Sequence, residues 1–306
     1  MLEHRLAKLA AIATFILLVI GGTVNPTGSS LACPEPTLVC NGQLFPPMVG
    51  GVFYEHGHRL AAMTVGLLQL ALTFLLFRRR ANNRGYLVLA FTLLGLVIAQ
   101  GTLGAITVKY KLPWFVSTGH LLLGMSYFAT LIYTAFKTRP TPSVVEIQRH
   151  DKLRLEVGTA RRWIGIAGGA VFIQLLLGAL VRHFGAAMVC LGMPKCTISG
   201  EWWPDSGVQH LHMIHRGFGV VVAIVTTIAA IIVVRRSRSW PQLRLLALLA
   251  PLVVISQICL GIMTVLSLRA VPIAVGHFAG AATLWAMWMS MWLMTAPRTT
   301  NRQATL

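Results

Sequence analysis

The sequence predicts an all-α integral membrane protein with eight transmembrane helices arranged as two repeated four-helix bundles. Three observations lead there: an apolar composition, eight apolar runs of bilayer length, and a set of landmark residues that recurs at one fixed offset. Of the 306 residues, 56% are hydrophobic and only 11% are charged, and the mean hydropathy is +0.71. So little polar surface cannot cover a soluble globule. The 26 Lys and Arg against 8 Asp and Glu give a net charge of +18. Nucleic-acid binding would need that charge on one face of a soluble module, whereas here long apolar stretches interrupt it. The basic residues report topology instead.

A helix needs roughly 20 apolar residues to cross a hydrocarbon core about 30 Å thick. Such runs, bounded by charge or proline, lie near 10–24, 57–77, 86–107, 114–136, 163–181, 209–234, 245–267 and 271–296. The first follows Arg5 and Lys8 and resembles a cleaved signal, but it has an equivalent inside the chain and is read as a retained helix. The second is entered through Glu55, His58 and Arg59 and left at Arg78, Arg79 and Arg80. The third runs from Arg84 toward Lys109, and the fourth from Pro113 to Lys137. The last four follow the same plan. One set of connecting segments holds Arg5, Lys8, the run from Arg78 to Arg84, the cluster from Lys137 to Arg162, the run from Arg235 to Arg244, and Arg298 with Arg302. The opposite set holds only Lys109, Lys111, Arg182, Lys195 and Arg269. The positive-inside rule then places both termini in the cytoplasm, and loops 25–56 and 182–208 outside the cytoplasmic membrane.

The halves of the chain align at an offset of 157 (215 − 58) that relates His58 to His215 and His120 to His277. The same offset relates Phe15 to Phe172, Gly21 to Gly178, Gly28 to Gly185, Cys33 to Cys190, Gln100 to Gln257, Gly104 to Gly261 and Thr107 to Thr264. Chance does not keep one offset over so many polar and small residues. The division expected is an N-terminal half over 1–137, a charged cytoplasmic linker over 138–162 and a C-terminal half over 163–306, the halves sharing one orientation.

Each half has one histidine near the outer start of its second helix (His58, His215) and one just inside its fourth (His120, His277). Two imidazoles at one depth suit axial ligation of a haem iron, which takes nitrogens from opposite faces of a flat macrocycle. A lone membrane histidine is as readily an interhelical hydrogen-bond donor, but a quartet at one offset favours haem. Zinc or copper would want further ligands at the same depth. Arg59 and Arg216 follow the first histidine of each pair, placed either to neutralise haem propionates or to snorkel to headgroups. Glu55 stands three residues before His58, whereas His212 holds that position before His215. A carboxylate beside one site only suggests that one site does chemistry and the other holds a cofactor, although a Glu at a helix N-terminus also suits the dipole. His56, His183, His210 and His212 lack partners at the offset and rank as interfacial or secondary candidates.

Cys33 and Cys40 bracket PEPTLV in the first outer loop, and Cys190 and Cys196 bracket LGMPK in the third. Close pairs outside the cytoplasm read as disulfide clasps, with thiol exchange as the lesser alternative. Cys259 reads as a small buried residue, and Gln100 and Gln257 as interhelical hydrogen-bond donors.

Assembled, these residues resemble the haem A synthase family: eight helices in two halves, Glu55-x-x-His58-Arg59, His215-Arg216, the later His120 and His277, and cysteine pairs in equivalent outer loops. The resemblance implies oxidation of the C8 methyl of haem O to a formyl group by successive hydroxylations. Water would be the oxygen source, with an external electron acceptor/donor chain. It implies haem b as cofactor on His215 and His277, with Arg216 beside it. Haem O, the substrate, would lie between His58 and His120, with Glu55 assisting catalysis and Arg59 a propionate candidate. The four iron-ligating residues would be His58, His120, His215 and His277. The family's outer cysteines imply Cys33–Cys40 and Cys190–Cys196 disulfides. Membrane lipid, a separate redox partner, haem O synthase and oxidase assembly factors are the partners implied. A non-enzymatic di-haem b-type cytochrome, or a haem carrier, fits the repeat and the histidines nearly as well; Glu55 on one side only is what separates them.

Overall fold

The computed structural model describes residues 1–81, 84–140 and 143–297; Arg298 and Arg302, counted above for topology, lie outside them. Among the described residues there are nine α-helices and no strand. They are α1 (Leu2–Val24), α2 (Gly50–Arg78), α3 (Arg84–Lys109), α4 (Trp114–Lys137), α5 (Val144–Val157), α6 (Ala160–His183), α7 (Gly207–Arg236), α8 (Pro241–Leu266) and α9 (Val271–Met294). All but α5 are long and apolar enough to cross a membrane, so the chain is a multi-pass membrane protein. In hydrocarbon every backbone N–H and C=O must be satisfied within its own segment, which is why the apolar runs become unbroken helices.

Two helices begin earlier than their hydrophobicity does. α1 starts at Leu2, ahead of the apolar run from residue 10, and α2 starts at Gly50, so Glu55, His56, His58 and Arg59 all lie on helix. The segment read as a plain charged linker contains α5. Its Ser143 side chain accepts from the Glu146 N–H while the Glu146 carboxylate accepts from the Ser143 N–H, a reciprocal cap. Its inner face is pinned by His150, whose Nε2 lies 3.0 Å from the Met294 carbonyl oxygen.

α1 packs on α2 and α4, and α3 closes the ring between α2 and α4; α6, α7, α8 and α9 form a second ring with the same neighbours in the same order. The rings meet through α4 against α6, α1 against α9, and α4 against α9. Trp285 of α9 donates across this seam to the carbonyl of Met125 on α4, at 3.2 Å. Each ring is filled with apolar side chains toward its basic end. In the first, Ala7, Leu72, Leu93 and Leu131 are fully buried; in the second, Ile164, Leu243, Met291 and Trp288. The packed core stops short of the end that carries the disulfide loops, where glycines and histidines line the rings instead. Cys259 is exposed on the face of α8, not buried as its size suggested.

Candidate functional site

His58 stands eight residues into α2 and His215 eight into α7, while His120 and His277 each stand six residues into α4 and α9. At 1.5 Å per residue this puts all four roughly 9–12 Å from the loop end of their helices. The landmark glycines explain the repeat. A Cβ at Gly21 would lie 2.7 Å from His58 Cε1, one at Gly104 3.2 Å from His120 Cε1, one at Gly178 3.2 Å from His215 Cε1, and one at Gly261 3.3 Å from His277 Cε1. Each imidazole therefore rests on a glycine of a neighbouring helix; a Cβ would force a shift at Gly21 and would be tight at the other three. His58 and His120 lie close enough to act on each other electrostatically, as do His215 and His277.

Glutamine side chains set two of the four rings. The Gln100 side-chain amide donates to the His120 carbonyl at 2.9 Å and lies 3.4 Å from its Nε2. Gln174 donates to the His215 carbonyl at 3.0 Å and lies 3.2 Å from its Nδ1. Leu17 occupies the place corresponding to Gln174, so the His58 ring has no glutamine on that side. The Nδ1 atoms of His58, His120 and His277 are buried without a hydrogen-bond partner among the described residues. Two buried imidazoles per ring, cradled by glycine with nitrogens unpaired, form a donor set that fits a haem iron.

The arginines and Glu55 face the loops. Arg59 donates to the carbonyls of Cys33, Glu35, Thr37 and Val39 and forms a 2.6 Å ion pair with Glu55. The other Glu55 oxygen accepts the Cys33 N–H at 2.9 Å. Arg216 repeats the arrangement without a carboxylate, donating to the carbonyls of Cys190, Gly192 and Lys195. These carbonyls belong to loops closed by the Cys33–Cys40 and Cys190–Cys196 disulfides. Outside the membrane spans, Glu35 accepts the N–H groups of Asn41 and Gly42. Backbone hydrogen bonds, its own first, hold its carboxyl below the usual carboxylate range. His56 is buried beside the first disulfide, one ring nitrogen within 4.8 Å of both sulfurs and both nitrogens unpartnered; at the offset its place is taken by Met213, which packs on the second disulfide.

One asymmetry has no counterpart in the sequence reading. A cleft of about 190 Å³ opens between α1 and α2, lined by Ala13, Ile16, Leu17, Ala61, Thr64 and Val65. At the offset from Ala61 stands Phe218, which packs against the core of the second ring.

Residues 49–289 match the family model described as cytochrome oxidase assembly protein. The chain is 28% identical over 297 residues to the heme A synthase of Geobacillus kaustophilus, covering 96% of this chain and 91% of that one. It is 31% identical over 229 residues to the heme A synthase of Symbiobacterium thermophilum, covering 72% and 73%. It is also 24% identical over 272 residues to that of Bacillus licheniformis, covering 89% of each.

Proposed function

Because the chain belongs to the cytochrome oxidase assembly family that includes the heme A synthases, we propose that it converts haem O to haem A, oxidising the C8 methyl to a formyl group by successive hydroxylations with water as the oxygen source. What carries this reading is the pairing of His58 with His120 and of His215 with His277, each ring seated on a glycine of the adjacent helix. The two rings of helices are the halves of the repeat, oriented alike, with both termini in the cytoplasm and the histidines toward the outer face of the cytoplasmic membrane.

His215 and His277 hold haem b, which supplies one-electron transfer to a separate redox partner when bound. His58 and His120 hold the substrate. The open cleft beside α2 supports this assignment, since haem O carries a long isoprenoid tail and haem b does not. Ala61 lines this space, and the residue at the repeat offset is the much larger Phe218, packed against the core of the second ring. Glu55 lies one helical turn from His58 and is fixed by Arg59 and the Cys33 N–H. From there its charge favours positive character developing at the oxidised methyl, and its oxygens accept the proton released. Gln100 and Gln174 fix their histidine rings and keep the backbone near them satisfied.

The test is extraction and chromatography of the haems after co-expression with a haem O synthase. The intact chain should yield haem A with some hydroxylated intermediate, and Glu55→Ala and Glu55→Gln should accumulate haem O. Unmodified haem in the intact, folded chain despite confirmed haem O supply would overturn the oxidase reading in favour of a cytochrome or carrier.

A further inference from the structure

Two guanidinium groups meet at the seam between the rings, and no carboxylate answers them. Arg182, in the last turn of α6, reaches across to α1, where it donates to the Gly21 carbonyl at 3.3 Å. Its Nε is buried without a partner, and the Phe278 ring lies 5.9 Å from its guanidinium carbon. Arg269, in the turn between α8 and α9, donates to Asn25 Oδ1 at 2.9 Å and is near enough to Arg182 for the two charges to repel. Neither pairs with a carboxylate among the described residues. The C-terminal end of α1 offers only about half a negative charge. Partly buried cations with no counter-ion are costly, and a ligand anion would relieve them.

The repeat shows that this charge is an addition. Asn25 and Arg182 are equivalent at the offset of 157 (182 − 25), and Leu112 is the equivalent of Arg269 (269 − 112). Both turns share the same left-handed backbone, at Lys111 and Leu112 and at Leu268 and Arg269, so the fold does not require arginine there. The location is also one-sided. Gly21, whose carbonyl receives Arg182, is the seat of His58; the Arg182 charge acts on His58 and is absent from those acting on His215. Arg59 and Arg216 direct their Nη groups to loop carbonyls and the Glu55 carboxylate.

We propose that Arg182 and Arg269 form the anion site for the propionate carboxylates of the haem held between His58 and His120, so that the second half supplies a binding group to the site of the first. This rests on the reading of His58 and His120 as a haem site. Guanidinium binds carboxylate through short, charge-assisted hydrogen bonds, and the seam holds two such groups at the end of α1.

The experiment is a titration of the purified full-length chain, and of Arg182→Gln and Arg182→Lys, with iron protoporphyrin as the free diacid and as its dimethyl ester, followed by absorbance. One charge-assisted hydrogen bond contributes about 1.5–3 kcal/mol, so the intact chain should prefer the diacid by roughly tenfold or more. Arg182→Gln should bring that ratio near one and Arg182→Lys should keep part of it, with the haem on His215 and His277 unchanged in both. A ratio unaltered in Arg182→Gln, or binding of neither porphyrin by the intact chain, overturns the proposal. Parallel loss of both porphyrins and of the second haem marks a structural role at the end of α1 and also overturns it. Release of a co-purified anionic lipid with the ratio intact assigns the site to a headgroup phosphate instead. A chain that never oxidises haem O yet distinguishes diacid from diester leaves the anion site standing and removes only the oxidase reading.

Discussion

Gly21 is the residue on which the first site is most tightly built. Its absent Cβ would come 0.5 Å closer to an imidazole (3.2 − 2.7) than the corresponding atom at Gly178. Overpacking of this kind costs about 1–3 kcal/mol. If His58 and His120 hold a haem as proposed, Gly21→Ala should lower its retention by roughly tenfold, while Gly178→Ala should have a smaller effect at the proposed His215 and His277 site. Haem extracted per chain, with the untouched half as internal reference, reads both. Equal losses would count against the seat as the cause. At this scale the sequence was legible in part. The four histidines and the glycines at Gly21, Gly104, Gly178 and Gly261 stood out through the repeat, but their mutual contact did not, because it joins residues of different helices. Arg59 shows the same limit: it stands next to a histidine in sequence, but its side chain also reaches loop carbonyls 20 to 26 residues earlier, a contact that adjacency does not announce.

The two outer loops are held as elements by those arginines, and the loops differ in what depends on the cation. Arg59 neutralises Glu55, which is only 4% exposed; Arg216 satisfies neutral carbonyls alone. Removing the partner of a buried charge costs about 3–5 kcal/mol, against about 1.5–3 kcal/mol for hydrogen bonds made by a charged group. Arg59→Met should thus expose loop 25–49 to proteolysis more than Arg216→Met exposes loop 184–206, and adding Glu55→Gln to Arg59→Met should recover much of the difference. Similar cleavage of both loops, with no rescue, would show that the ion pair is not what holds the first. Helix boundaries followed hydrophobicity well where lipid dictates them and poorly where it does not. α5 was signalled by Ser143-x-x-Glu146, yet its charged surface reads as linker, and the first turns of α2 are helical because the loop clasp, and not the bilayer, supports them.

For the whole molecule, the seam carries more than the connection through α5. α4 and α9 lie against each other, Trp285 bonds to Met125, and Arg182 and Arg269 both reach α1. A chain cut by a protease between Lys137 and Ser143 should therefore stay together in mild detergent, the halves co-purifying. Separation of the halves on a sizing column would place the cohesion in the covalent link instead. The offset pairs the halves, and the proposed roles rest on where they differ: Leu17 for Gln174, Ala61 for Phe218, Asn25 for Arg182. Each is a substitution whose meaning depends on which helix lies opposite, so none could be weighed before the helices were packed.

The carbonyls gathered by Arg59 and by Arg216 come from within, or from the ends of, the segments that the disulfides close: Cys33, Glu35, Thr37 and Val39 in one, Cys190, Gly192 and Lys195 in the other. Each loop is in effect a small receptor wrapped around a cation that the adjoining helix delivers. Four cysteines permit three pairings, and a guanidinium bonded to carbonyls along each segment favours the local pairs, Cys33 with Cys40 and Cys190 with Cys196, over the cross-loop ones.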